Sequence, residues 1–154
     1  MSSFTSLEEV VSHLNAAGPD GNGNYTVYGL PISIGSMQSH VDHANKYIAS
    51  LSPSLADLPD DPRTPSAQLA ALDIACLGIL VTGVGGSIVG AFDYFLGDLR
   101  VSRAGPYAFA IKAAIDGYKA SAESNLANLA SVASSVTAKA AFRVPRYRGP
   151  ELDP

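Results

Sequence analysis

His40 and His43, separated by Val41 and Asp42, are the residues whose types and spacing come nearest to a metal site. The run His40-Val41-Asp42-His43 matches part of the H-x-H-x-D-H pattern of binuclear metal hydrolases, but Gln38 stands where the first histidine belongs. On a helix the two imidazoles lie roughly 60° apart. Two histidines alone leave a tetrahedral site half made, and no further histidine or cysteine cluster is present to complete it. The pair is therefore read as surface or boundary residues, and no metal is expected.

Two other segments invite a chemical reading. Thr82-Gly83-Val84-Gly85-Gly86-Ser87 has the glycine density of a phosphate loop, yet Ile88 falls at the third glycine position of G-x-G-x-x-G and no Gly-Lys-Ser/Thr follows. Gly86 and Gly90 also make G-x-x-x-G, a spacing that permits close helix approach or a bend. The chain has no G-x-S-x-G nucleophile elbow. Its single cysteine, Cys76, lies in an apolar run, where a thiol is an inert packing group. The expectation is a chain that is not an enzyme and carries no cofactor. Near the C-terminus, Phe142, Arg143, Arg146, Tyr147 and Arg148 follow Lys139 and combine guanidinium groups with aromatic rings. Such a mixture suits phosphate contact and base stacking. After an acidic remainder it reads instead as a disordered or partner-docked tail, and these five residues are the candidate partner-binding set.

The elements that must position these residues are mainly helical. A capping box at Thr5-x-x-Glu8 or Ser6-x-x-Glu9 opens a first helix through Val10, Val11 and Leu14, which stops near Gly18-Pro19. Tyr25-Thr26-Val27-Tyr28 is a short strand or extended loop. Ile34, Met37, Val41, Ala44, Ile48 and Leu51, three and four apart, make one buried stripe on a second helix that Ser52-Pro53 ends. A Pro- and Asp-rich loop leads to Thr64, an N-cap candidate, with Pro65 at the first position of a third helix. Residues 74–92 contain no charge and five glycines, and read as a buried core helix that breaks near residues 83–86. Tyr94-Phe95-Leu96 and Leu99-Arg100-Val101 flank Gly97-Asp98, which suits a tight hairpin. A long fourth helix carries Ile111, Ile115, Tyr118, Ala122, Leu126, Leu129, Ala133 and Val136 on one stripe. Residues 141–154 form an extended arm. The predicted architecture is thus a mainly α, small helical bundle over residues 1–140, with a short hairpin or extended loops and an extended C-terminal arm over 141–154.

Composition bounds the function class. At 154 residues the chain suits one domain with a real core. Its 16% charged fraction is well below the roughly 25% of soluble globular proteins, which implies surface covered by partners. One cysteine excludes an intrachain disulfide. The start, Met1-Ser2-Ser3-Phe4, lacks the charged and apolar regions of a secretory signal, so none is expected. Residues 1–99 hold two basic against ten acidic side chains, and residues 100–154 hold eight basic against four acidic, a split of −8 and +4. Such a split reads either as two solvated faces of different charge or as opposite poles that attract in head-to-tail association between copies.

The order of elements resembles the head-tail adaptor, or connector, proteins of tailed viruses that infect bacteria and archaea. The likeness is carried by the capped start Ser6-Leu7-Glu8-Glu9, the helix end Ala44-Asn45-Lys46-Tyr47-Ile48 and the Ala-rich third helix over residues 67–80. Its most specific part is Phe92-Asp93-Tyr94-Phe95-Leu96-Gly97-Asp98-Leu99-Arg100-Val101, similar to the family's aromatic, x, x, Gly, acidic, apolar, x, Val pattern. The resemblance implies a helical subunit in a ring of about twelve copies beneath the portal protein, extending the genome channel. It also implies a chain end that reaches the portal or a tail or head-completion protein, with non-specific contact to DNA in the channel. Localisation would be the virion's head-tail junction, after assembly in host cytoplasm, with no membrane partner. The rival is a small membrane protein anchored by residues 74–92, a run just long enough to span a bilayer.

Overall fold

The computed structural model describes residues 4–51, 61–89, 93–95 and 105–143, and beyond residue 129 it describes the backbone alone. The chain is mainly α, a small helical bundle with short hairpins. Helix α1 (Leu7–Leu14) begins as its sequence dictates. Ser6 Oγ accepts the Glu9 amide at 3.2 Å, and Glu9 Oε1 accepts the Ser6 amide at 3.1 Å, closing the reciprocal box. Asn15, left-handed at φ 54°, ends the helix. Before it, the Asn45 side chain fastens the N-terminal segment: Oδ1 accepts the Phe4 and Thr5 amides at 2.9 and 3.0 Å, and Nδ2 donates to the Thr5 carbonyl at 3.0 Å.

Strands β1 (Asn24–Val27) and β2 (Leu30–Ser33) pair antiparallel with Val27 opposite Leu30, leaving Tyr28-Gly29 as a two-residue turn. Both turn residues have positive φ, 49° and 76°, the signature of a type I′ turn, whose twist matches that of the strands. Helix α2 (Ile34–Leu51) follows directly. Its Met37, Val41, Ala44 and Ile48 are buried as the periodicity predicts, whereas Ile34 and Leu51, at the two ends of the stripe, are exposed.

Helix α3 (Thr64–Gly83) is the hub, packed against α1, α2 and the long last helix. The N-cap is Arg63 rather than Thr64, and Thr64 is already helical and buried. Asp61 organises this start: it takes the Arg63 amide at 2.8 Å and the guanidinium through two 3.0 Å bonds, while its carbonyl accepts the Thr64 amide. Its first turns expose Pro65, Gln68 and Leu69, but from Asp73 through Val81 every residue is buried, which is why that half is so apolar. The uncharged run over 74–92 is therefore not one span. The helix stops at Gly83, within the predicted break, and strand β3 (Ser87–Val89) pairs antiparallel with β4 (Asp93–Phe95). Tyr94-Phe95 thus pairs backwards with Ile88 and Ser87, and the hairpin expected at Gly97-Asp98 lies outside the described residues.

A 3-10 turn (Gly105–Tyr107) leads into helix α4 (Ala108–Arg143), 36 residues long. Ile111, Ile115, Ala122 and Leu129 face α3 and are buried. The helix continues through Ala141, Phe142 and Arg143, three residues into the segment expected to be extended. Helical propensity accounts for this, since Ala138, Lys139, Ala140 and Ala141 are strong helix formers with no proline before Pro145.

Candidate interaction surface

Of the five candidate partner-binding residues, Phe142 and Arg143 close the last turn of α4. Arg146, Tyr147 and Arg148 lie outside the described residues. The sites of expected chemistry resolve more fully. Gly83-Val84-Gly85-Gly86 is the C-terminal end of α3, where Gly85 donates to the Thr82 carbonyl at 2.9 Å and Gly86 to the Val81 carbonyl at 2.8 Å. A phosphate loop needs the free amides of a helix N-terminus. Here the amides are spent on the helix's own carbonyls, and the helix dipole at this end repels anions.

His40 is half-buried against Gly78, where an added Cβ would come within 2.6 Å of Nδ1. Burial, aided by the neighbouring charge of His43, holds its pKa below the usual imidazole value. His43 is exposed. Among the described residues no group of three His, Cys, Asp or Glu side chains converges. Cys76 is fully buried, and burial and then Asp73 push its thiol pKa up, the reverse of an activated nucleophile.

What the tertiary structure does assemble is a polar node at the junction of α1, α3 and α4. Asp73, 5% exposed, accepts hydrogen bonds from Ser121 Oγ at 2.5 Å and Asn125 Nδ2 at 3.3 Å. Ser121 and Asn125 sit one turn apart on α4, so both reach the same carboxylate. His13 contributes from α1, its ring 5.6 Å from that of Tyr118. Burial raises the Asp73 pKa, and the Ser121 bond, His13 and Asn125 oppose that rise. The node was readable only in part: Asp73 is the lone acid in an Ala-rich apolar segment, but its partners lie about fifty residues away. Ser121 donates to a carboxylate and not to an imidazole, so the pair differs from the hydroxyl–imidazole arrangement of a serine nucleophile.

Two surfaces flank this node. Beside it, Glu8, Glu9, Ser12, His13 and Leu72 line an open groove of about 550 Å³ between α1 and α3. The second surface is the outer side of α4. Phe109 is 91% exposed, and Ala113, Gly117, Ala120, Ser124 and Ala127 continue exposed from it at spacings of four and three. Their face lies opposite Ile115, Ala122 and Leu129, so α4 buries one side in its own core and presents an uncharged strip of small residues on the other. At the N-terminal end of that strip, Tyr107 leans over the Tyr28-Gly29 turn, leaving no room for a side chain at Gly29. No protein-family model matches the chain, and neither does any curated protein or any solved structure.

Proposed function

We propose that this chain is a non-enzymatic structural subunit that assembles with copies of itself into a ring at the head-tail junction of a tailed virus. In that reading it joins the portal protein to a tail or head-completion protein and lengthens the genome channel. The outer side of α4 is the observation that carries self-association. An exposed Phe109 followed by uncharged small residues is poorly suited to water and well suited to a second helix surface, because small residues let backbones approach closely. The opposed charges of the two halves of the chain act in the same sense, and the resemblance to adaptor proteins supplies the viral setting. In this reading Phe142, Arg143, Arg146, Tyr147 and Arg148 engage a protein partner, and the basic side chains also contact DNA non-specifically.

A second reading is supported by α3, which is long and apolar enough to cross a membrane by length and composition. The span would then be Thr64–Gly83 rather than 74–92. Two-thirds of it is buried against the other helices (67%), as a core helix requires. Expressing the full chain without detergent, then measuring native mass and imaging by negative stain, separates the readings. Rings in the soluble fraction are the expected result. Recovery only from membranes, with release only by detergent, would overturn the adaptor reading in favour of the anchor.

A further inference from the structure

The groove between α1 and α3 is negatively charged on one wall and apolar at its base. Glu8 and Glu9 stand exposed along α1, Ser12 and His13 continue the wall, and Leu72 of α3 is partly buried beneath them. Glu9 also serves the capping box, accepting the Ser6 amide through Oε1. At the other end of the sequence Lys139, Arg143, Arg146 and Arg148 occur with no acid between Glu123 and Glu151, and Phe142 and Tyr147 are interleaved among them. We propose that this groove receives the basic, aromatic C-terminal arm of a second copy of the chain, with Arg146 and Arg148 against Glu8 and Glu9 and the Tyr147 ring over Leu72. The proposal rests on the reading of the chain as a self-associating subunit, and it specifies how one copy holds the next.

Reach decides why the occupant is a second copy. Asn125 on α4 touches Asp73, the neighbour of Leu72, so the groove lies level with that point of α4. Arg143 lies eighteen residues further along the same helix, about 27 Å away at 1.5 Å per residue. From Arg143 the chain has three residues to reach Arg146 and five to reach Arg148, at most about 11 and 18 Å fully extended. The backbone at neither position can return to the level of its own groove while α4 holds its helical course, and Arg146 falls short even with its side chain extended, so one arm cannot bring both guanidinium groups to Glu8 and Glu9 of its own chain. A neighbouring copy has no such constraint, and the same arm-to-groove contact repeated from copy to copy is heterologous, the kind that closes rings.

The test uses the full chain. The parent protein, Glu8→Lys, the double variant Arg146→Glu/Arg148→Glu, and all three changes combined are compared by native mass spectrometry and sedimentation, with circular dichroism confirming that each is folded. Each charge reversal is expected to weaken association by about tenfold or more, and the combined variant to regain a large part of it, because opposite charges again face each other. A second measurement pairs Ser12→Cys in one copy with Arg148→Cys in an isotope-labelled other, where a disulfide between the two masses is expected. Oligomers insensitive to every charge reversal, or no disulfide between the two masses, would overturn the arm-to-groove contact and leave the ring reading standing. A parent protein that stays monomeric at all concentrations would overturn both.

Discussion

Asp73 on α3 receives a 2.5 Å hydrogen bond from Ser121 on α4, a polar tie set beside the apolar contacts of Ile111, Ile115 and Ala122 with the core. A buried carboxylate held by a hydroxyl is sensitive to loss of the donor, because the acceptor is then left desolvated and under-paired. Ser121→Ala is expected to cost about 1–3 kcal/mol in urea unfolding. It should also raise the Asp73 pKa further, since that bond lowers it. An unchanged unfolding midpoint would show that the node contributes nothing.

The same carboxylate sets a pH dependence of unusual sign. Burial raises the folded-state pKa of Asp73 above its unfolded value, so the protonated form favours folding. Its contribution is fully present below the unfolded pKa and is lost as pH rises through the raised folded pKa. Asp73→Asn removes that dependence while retaining an acceptor for Ser121. The stability of the variant relative to the parent should therefore increase between about pH 4 and pH 7. A variant that loses ground over that range would refute the assignment.

Asn45 and Thr5 give a contrasting pair of expectations. Asn45→Ala removes three bonds to the backbone of Phe4 and Thr5. It should cost about 2 kcal/mol and speed amide exchange at both residues. Thr5 Oγ1, by contrast, is buried without a partner. Thr5→Val, which keeps the shape and removes the orphan hydroxyl, is expected to stabilise by up to about 1–2 kcal/mol, read as a higher thermal midpoint.

Gly78 and His40 form a contact in which one residue is small because the other is large. Gly78→Ala would bring a Cβ within 2.6 Å of His40 Nδ1, so the imidazole must move. The expected loss is about 1–3 kcal/mol, and His40→Ala in the same chain should recover most of it. Additive losses in this double-mutant cycle would show that the two residues do not meet.

Cys76 is 0% exposed at the centre of the bundle. A thiol reagent at neutral pH should modify it only at the rate at which the native protein opens, and immediately in denaturant. Rapid modification of the native protein would contradict its placement in the core.

The parts of this protein that its sequence determined by itself are those governed by near neighbours. Ser6 and Glu9 are three residues apart and cap each other, and Met37, Val41, Ala44 and Ile48 mark their buried face through spacing alone. The glycines after Leu80 locate the end of α3, because each weakens helix propagation where it stands. What only the tertiary structure decided depends on residues distant in the chain. The pairing of Tyr94-Phe95 back onto Ile88 and Ser87 is one such case. Periodicity identifies one face of α4, but an uncharged opposite face of small residues carries no hydrophobic period to announce it. Asp73 reads in sequence as the edge of an apolar run. It becomes a tie between helices only when α4 crosses α3 antiparallel and brings Ser121 and Asn125 from about fifty residues away, both donating to Asp73 Oδ2.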